Sequence, residues 1–320
     1  MDKQFFHRIH LSPKAVGVSA AILFETIYGA SFVFTKAVTG TYSTLTIQFW
    51  RFGLALLCFI LLNVLGLISV RIRISAFLHA LPAVLCYPVF YLFLETAGIR
   101  LTTASESGII ISSCPIVCII ASTLVLHRKP TFFQIIGILI ALVGTAAAVL
   151  SKGADAAFSP KGYSALFLAL IVYSFYSVSV ERLSDSCSGT EFTCMMLTVG
   201  FLCFGCGAVL EHLRTDTLRS LLITPIQDPV FRYSVLYLAL LSSLLAFFLN
   251  NLAISRIGTN RTATFAGIDT AVSILLGACV QHDRITVWQI LGVLLILAGV
   301  YLANNTPAVH SKSDSALLSR

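Results

Sequence analysis

Two stretches of this chain repeat each other, and that repetition limits the fold more than any other feature. Residues 127–144 read HRKPTFFQIIGILIALVG, and residues 282–299 read HDRITVWQILGVLLILAG. In one register His127 meets His282, Thr131 meets Thr286, Gln134 meets Gln289, Gly137 meets Gly292, and Gly144 meets Gly299. Both copies run into a strongly apolar stretch. A duplicated unit of membrane-grade segments is the mark of many transporter folds, whose substrate site lies between the repeats.

Composition fixes the solvent. The 320 residues are 57% hydrophobic and only 11% charged, with a mean hydropathy of +0.91. Soluble domains carry roughly 25% charged residues, so this chain belongs in a lipid bilayer. The net charge of +7 is then no sign of nucleic-acid binding, because basic residues in a membrane protein first set orientation. The apolar run from Val16 to Ala37 is too long for the roughly 7–15 residues of a signal-peptide core, and it reads as a retained first helix. Nine cysteines are present. Cys203 and Cys206 have redox or metal spacing but sit in an apolar run without clustered His or carboxylate partners, and they read as small packing residues.

Apolar runs of spanning length, roughly 20 residues, lie near 16–38, 46–67, 74–95, 102–126, 131–150, 161–183, 190–211, 232–254, 260–281 and 286–304. The repeat extends upstream. Ser12-Pro13-Lys14 precedes the first run and Ser159-Pro160-Lys161 the sixth, while Ala97 and Arg100 match Ala253 and Arg256. An odd number of spans per copy inserts the second copy from the opposite side. The expected fold is an all-α integral membrane protein of ten transmembrane helices, arranged as two inverted five-helix repeats. The expected segments are a cytoplasmic N-terminal stretch (1–15), a first repeat (16–150), a linker (151–160), a second repeat (161–304) and a cytoplasmic tail (305–320). With both termini in the cytoplasm, Lys3, Arg8, Lys14, Arg71, Arg73, Arg128 and Lys129 fall on the inner side, as the positive-inside rule asks.

Several local motifs occur in a recognisable order. Tyr28-Gly29-Ala30-Ser31-Phe32 is followed by Lys36, and then by Phe49-Trp50-Arg51-Phe52. Thr102-Thr103-Ala104-Ser105-Glu106 leads through Ser113-Cys114-Pro115 to the Gln134, Gly137 and Gly144 helix. Over roughly residues 15–305 the chain resembles the EamA-like branch of the drug/metabolite transporter superfamily. It departs from that pattern at Ala271, which stands opposite Pro115, and at His127-Arg128-Lys129 and His282-Asp283-Arg284, where Gly-Glu-Arg is usual. The resemblance implies transport of amino acids or related solutes.

Intramembrane charge marks the candidate site. A charge at the bilayer centre costs about 2.5–3.5 kcal/mol on insertion scales, so Glu25, in the middle of the first run, needs a partner, a wet cavity or a proton. Gly29 shares its helical face and permits close approach. Asp269 lies mid-membrane in the ninth run and matches Ser113; Glu106 matches Thr262. Each repeat's fourth helix thus carries a polar pair one heptad apart, as two facing walls of a central cavity would. Arg51 offers a fork suited to carboxylates, either to Glu106 or to a substrate; an interfacial snorkel is the plain alternative. Tyr173 and Tyr176 form a polar-aromatic wall, with ordinary core tyrosines as the alternative. Gly137/Gly144 and Gly292/Gly299 read as close helix packing.

No Walker loop, zinc spacing or nucleophile elbow is present, so no enzyme activity and no cofactor are expected. The expected function is a secondary transporter in the cell (inner) membrane, exporting or exchanging a small organic metabolite by alternating access, with protons as a possible coupling ion. The buried acids Glu25, Glu106 and Asp269, set against Arg51, suit an amine-bearing solute or a proton. An importer or nucleotide-sugar-like exchanger remains open, as does a lipid-handling or assembly factor. The partners expected are the substrate and the bilayer, not nucleic acid, with monomer and homodimer both open.

Overall fold

The computed structural model describes residues 12–70, 74–111, 113–126, 131–150, 159–263, 265–282 and 285–304. The expected terminal stretches, most of the linker and the basic motifs at 128–129 and 283–284 lie outside the described residues. The helices are α1 (Pro13–Thr39), α2 (Thr44–Val64), α3 (Ile74–Leu101), α4 (Glu106–Val125), α5 (Phe132–Leu150), α6 (Pro160–Leu183), α7 (Gly189–Arg214), α8 (Pro229–Ile257), α9 (Thr259–Gln281) and α10 (Val287–Asn304). Eight of them are long and apolar enough to cross a membrane. The other two, α5 and α10, carry shorter apolar segments, Ile135–Gly144 and Val287–Gly299. Among the described residues there is no strand.

The two halves start their helices with the same chemistry. Ser12 caps α1 by accepting from the Ala15 amide, and Ser159 caps α6 by accepting from the Gly162 amide. In each, a proline with no N–H to satisfy fills the first turn. Ser43 caps α2, and Ser188 caps α7 in a reciprocal box with Glu191. The polar connection after α7 forms short helices at Leu218–Leu222 and Thr224–Gln227. It is tied to the α1–α2 turn, where Tyr42 donates to Asp228 (3.0 Å), and to α2, where Trp50 donates to the Leu221 carbonyl (2.8 Å).

Neither α3 nor α8 is regular throughout. Helix α8 widens into a π-helical stretch at Tyr237–Leu245, whereas α3 is kinked within Leu85–Phe90. In α3, Pro88 removes a backbone donor, and Tyr87 leaves helical geometry (φ −131°, ψ 116°). Its ring packs among Tyr91, Tyr173, Tyr176 and Phe247. π-stretches such as that of α8 are frequent at functional sites. Two other spans are broken. The α4 region consists of Ala104–Ile111 and Cys114–Leu126, and α9 of Thr259–Ala263 and Ala266–Gln281. Pro115 falls in the first turn of the second α4 piece, where proline costs least.

Packing is reciprocal between the halves. Helix α1 packs on α8 and α9, and its counterpart α6 packs on α3 and α4; α2 packs on α7 and α5 on α10. The closest approach is between α5 and α10. A Cβ on Gly144 would sit 2.6 Å from the Gly292 carbonyl oxygen, and one on Gly299 would collide with the Gly137 carbonyl. The same contact is therefore made twice with the roles exchanged, as a two-fold relation between the halves requires. Large apolar side chains cover the outside, among them Leu57, Leu61, Leu124, Leu139, Phe167, Leu202 and Trp288. That surface suits lipid and would be untenable in water. Cys203 and Cys206 are also exposed. They are surface residues of α7, which corrects the packing role expected for them.

Candidate functional site

Glu25 and Asp269 come together because glycine lets their helices touch. A Cβ on Gly29, one turn beyond Glu25, would lie 2.5 Å from the Asp269 carbonyl oxygen and 2.9 Å from its Cα. Only a residue without a side chain allows α1 so close to α9 there. Both carboxyl groups line one internal cavity. Glu25 is 5% exposed and Asp269 1%. The cavity measures about 20 Å³, little more than room for a water molecule.

Its walls are mainly aromatic. Phe24 and Tyr28 enter from α1, Tyr87 and Tyr91 from α3, and Tyr173 from α6, with Cys114 and Ala266 closing the α4 and α9 sides. Most of the tyrosine hydroxyls are engaged away from the cavity. Tyr28 donates to both oxygens of Glu95 (2.8 and 3.0 Å), Tyr91 donates to Glu95 (2.7 Å), and Tyr173 donates to Asn250 (3.1 Å). Among the described residues, the Oδ1 atom of Asp269 and the hydroxyl of Tyr87 have no hydrogen-bond partner. Buried polar atoms normally find one, and both residues belong to the cavity lining.

Of the residues singled out from sequence, Glu25, Asp269 and Tyr173 share this cavity. The others lie elsewhere. Tyr176 stacks beside Tyr87 and donates to Asn251 (2.5 Å). Ser113 is buried at the break in α4, where its amide donates to the Ile110 carbonyl. The expected pairing of Arg51 with Glu106 is not formed. Arg51 is 1% exposed and donates to Ser243 (2.6 Å) and Ser242 (2.9 Å), which the π-stretch of α8 presents to it. Glu106 takes the Thr103 amide (2.8 Å) while Thr103 takes the Glu106 amide (3.1 Å), and Tyr163 donates to its other oxygen (2.8 Å). This is a reciprocal cap on the first turn of α4, and the Thr-x-x-Glu spacing that produces it is written at 103–106. Lys36 donates to the carbonyls of Ile99, Arg100 and Thr102 and so closes the end of α3.

Sequence reasoning missed Glu95. It is 2% exposed and sits directly behind the cavity wall. The register that pairs Ala97 with Ala253 pairs Glu95 with Asn251, and Tyr28–Glu95 recurs in the other half as Tyr176–Asn251. The cavity is lined by residues of both halves.

Comparison with known proteins agrees with this architecture. A solved structure superimposes with a TM-score of 0.63 at 18% identity, covering 91% of this chain and 96% of its own, a likeness of fold alone. The uncharacterized transporter YcxC of Bacillus subtilis (strain 168) is 28% identical over 286 residues, 89% of this chain and 91% of its own. The uncharacterized transporter YyaM of the same organism is 23% identical over 303 residues, 92% of this chain and 96% of its own. The profile of the EamA-like transporter family matches twice, over residues 15–150 and 160–305. Those two matches take in every helix of the fold, and the chain, a multi-pass membrane protein, belongs to the EamA-like transporter family.

Proposed function

We propose that this protein is a secondary transporter that exports or exchanges a small organic metabolite by alternating access. In this reading residues 16–150 and 161–304 are inverted five-helix repeats, both termini are cytoplasmic, and α5 and α10 cross the membrane as the fifth span of each repeat. The observation that carries the proposal is the acid-bearing cavity lined by residues of both halves. Reciprocal packing supports it, because a two-fold scaffold can rock one way or the other about a site on its axis and expose that site alternately. A cavity with room for little more than one water corresponds to the closed stage of such a cycle, and substrate entry then requires the walls formed by α1, α3, α6 and α9 to part.

Energy enters through the carboxyl groups. A buried carboxylate with no cation beside it is stable only with a proton or a cationic ligand. Glu25 and Asp269 face that choice inside the cavity. The other ionisable groups around them are Tyr28, Tyr87, Tyr91, Tyr173, Cys114 and Cys118, with Glu95 and Arg51 behind the wall. Exchange of a proton for substrate would couple flux to the proton gradient.

The test is solute flux in proteoliposomes with and without an imposed pH difference, for wild type, Glu25→Gln and Asp269→Asn. Gradient-driven flux in wild type that is lost in a variant still able to exchange solute supports the reading. Wild-type flux that ignores the gradient removes the proton and leaves exchange or facilitated diffusion. Absence of flux for amines, amino acids, sugars and nucleotide sugars alike removes transport itself.

A further inference from the structure

We propose that the cavity between α1 and α9 recognises the ammonium head group of an organic cation and rejects solutes that also carry a carboxylate. The proposal rests on the transport reading above and narrows it, because amino acids, the solutes implied by family resemblance, fall in the rejected class.

The argument starts from what the walls offer. Glu25 and Asp269 are acceptors when ionised. One oxygen of Asp269, a residue of the cavity lining, is fully buried and unpartnered among the described residues. Glu25 makes no hydrogen bond among the described residues. No lysine, arginine or histidine lines the space. The hydroxyl protons of Tyr28, Tyr91 and Tyr173 are already given to Glu95 and Asn250. What those tyrosines leave for a ligand is lone pairs and ring faces. The site therefore presents acceptors and π-surfaces, with the Tyr87 hydroxyl as its unpartnered donor.

An ammonium matches that inventory. It has three N–H donors and no acceptor. Aromatic faces attract a desolvated cation by about 2 kcal/mol or more. Its head is about the size of a water molecule, which is the room the closed cavity provides. A carboxylate on the same ligand meets the opposite conditions. It would lie in a low-dielectric space beside two acids, with no cation in the lining and only the Tyr87 hydroxyl to donate to it. The nearest cation, Arg51, is outside the cavity lining and spends its guanidinium on Ser242 and Ser243. Burying a carboxylate without a partner is among the costliest changes a site can be asked to accept.

The experiment uses two matched pairs of probes that differ only by a carboxylate, ethylamine against alanine and tyramine against tyrosine. Binding to the full chain in lipid nanodiscs is measured by calorimetry, and flux is measured in parallel in proteoliposomes. At least one amine should bind, with its amino acid weaker by about tenfold or more. Glu25→Gln and Asp269→Asn should each weaken the amine by a similar factor, Asp269→Glu should restore it, and the lipid-face variant Cys203→Ser should leave it unchanged. Monodisperse elution of each variant controls for folding. The proposal is overturned if neither amine binds, if the amino acid binds as tightly as its amine, or if both acid variants bind the amine like wild type. Amine binding without any flux would remove the transport reading and keep this one; flux of zwitterions or anions without amine binding would do the reverse.

Discussion

The cluster of Tyr28, Tyr91 and Glu95 gives a prediction whose sign depends on the hydrogen bonds themselves. Replacing Glu95 with Leu removes one acceptor that serves two buried hydroxyls, one across helices from Tyr28 and one within α3 from Tyr91. Side-chain hydrogen bonds inside membrane proteins average about 0.6 kcal/mol and reach about 1.7 kcal/mol in double-mutant cycles. Two such bonds put the loss at about 1–3 kcal/mol. Releasing a buried carboxyl group offsets part of it, and the two stranded hydroxyls add to it. The single variant is therefore expected to be destabilised by about 1–3 kcal/mol.

The decisive variant is the triple, Tyr28→Phe/Tyr91→Phe/Glu95→Leu. It removes donors and acceptor together, and such replacements are close to neutral because no polar group is left unpaired. It should unfold within about 1 kcal/mol of wild type and be more stable than Glu95→Leu alone, the reverse of what additive losses would give. Unfolding by sodium dodecyl sulfate in mixed micelles, followed by tryptophan fluorescence or circular dichroism, reads the difference. A triple variant no more stable than the single would refute the reasoning, because the hydroxyls would then not depend on Glu95. The mirror pair Tyr176→Phe and Asn251→Leu should show the same pattern on a smaller scale, since Asn251 accepts from one tyrosine only.

Other outcomes follow from the same structure. Gly144→Leu and Gly299→Leu each force a side chain into a facing backbone carbonyl; both should lose about 1–3 kcal/mol or more and by similar amounts. Gly40→Ala, which meets nothing within 4 Å, should stay within about 0.5 kcal/mol of wild type in the same unfolding assay. Burial and the hydrogen bond to Asp228 push Tyr42, in the α1–α2 turn, up to about 12. A raised value stabilises the fold below the ordinary tyrosine range near 10 and loses that contribution as pH climbs toward 12. Tyr42→Phe should therefore remove one late step from the tyrosinate absorbance titration and flatten the alkaline loss of stability; an unchanged titration would contradict the assignment. Reporter fusions after Asp155 and Arg320 should fall on opposite sides of the membrane, and the same side for both would end the five-plus-five topology.

The spans, the duplication and the acids at Glu25 and Asp269 were legible in the sequence, because each depends on short-range pattern or on the rarity of charge in an apolar run. Gly29 was legible for the same reason, since its place one turn from Glu25 marks a face where a neighbour can come close. The fate of Arg51 was not. Its serine partners sit in a π-stretch, whose widened turn redirects side chains away from a 3.6-residue period. Glu106 carried its own explanation in the Thr103-x-x-Glu106 spacing, but a carboxylate in an apolar run draws attention to the cavity first. Glu95 escaped notice because it lies near a helix end that also carries Arg100, where a charge is ordinary. Only the register that sets it against Asn251, together with Tyr91 one turn before it, hinted that it points inward.

The same register leads one step further. The scaffold is duplicated through its caps and glycine contacts, whereas its charges are not. Glu95 stands opposite Asn251, Asp269 opposite Ser113, and, counting from the matched caps, Glu25 opposite Val172 and Arg51 opposite Met196. Backbone-to-backbone contacts at Gly144 and Gly299 can be kept in both copies because they depend only on the absence of a side chain. A carboxylate cannot be doubled so cheaply, since each further buried charge needs its own partner or proton. Where one half holds Glu95 against two tyrosines, the other satisfies Tyr176 with a neutral amide at no electrostatic cost. The symmetric part of the sequence sets the packing of the halves, and the asymmetric part carries the ionisable groups in and behind the cavity. An exchange of Glu95→Asn with Asn251→Asp would separate these roles. It keeps an acceptor for both tyrosine sets, so stability should fall by no more than about 1–2 kcal/mol, while any proton dependence of flux that Glu95 contributes should change. Unchanged stability and unchanged flux would show that the side of the scaffold carrying this acid is immaterial.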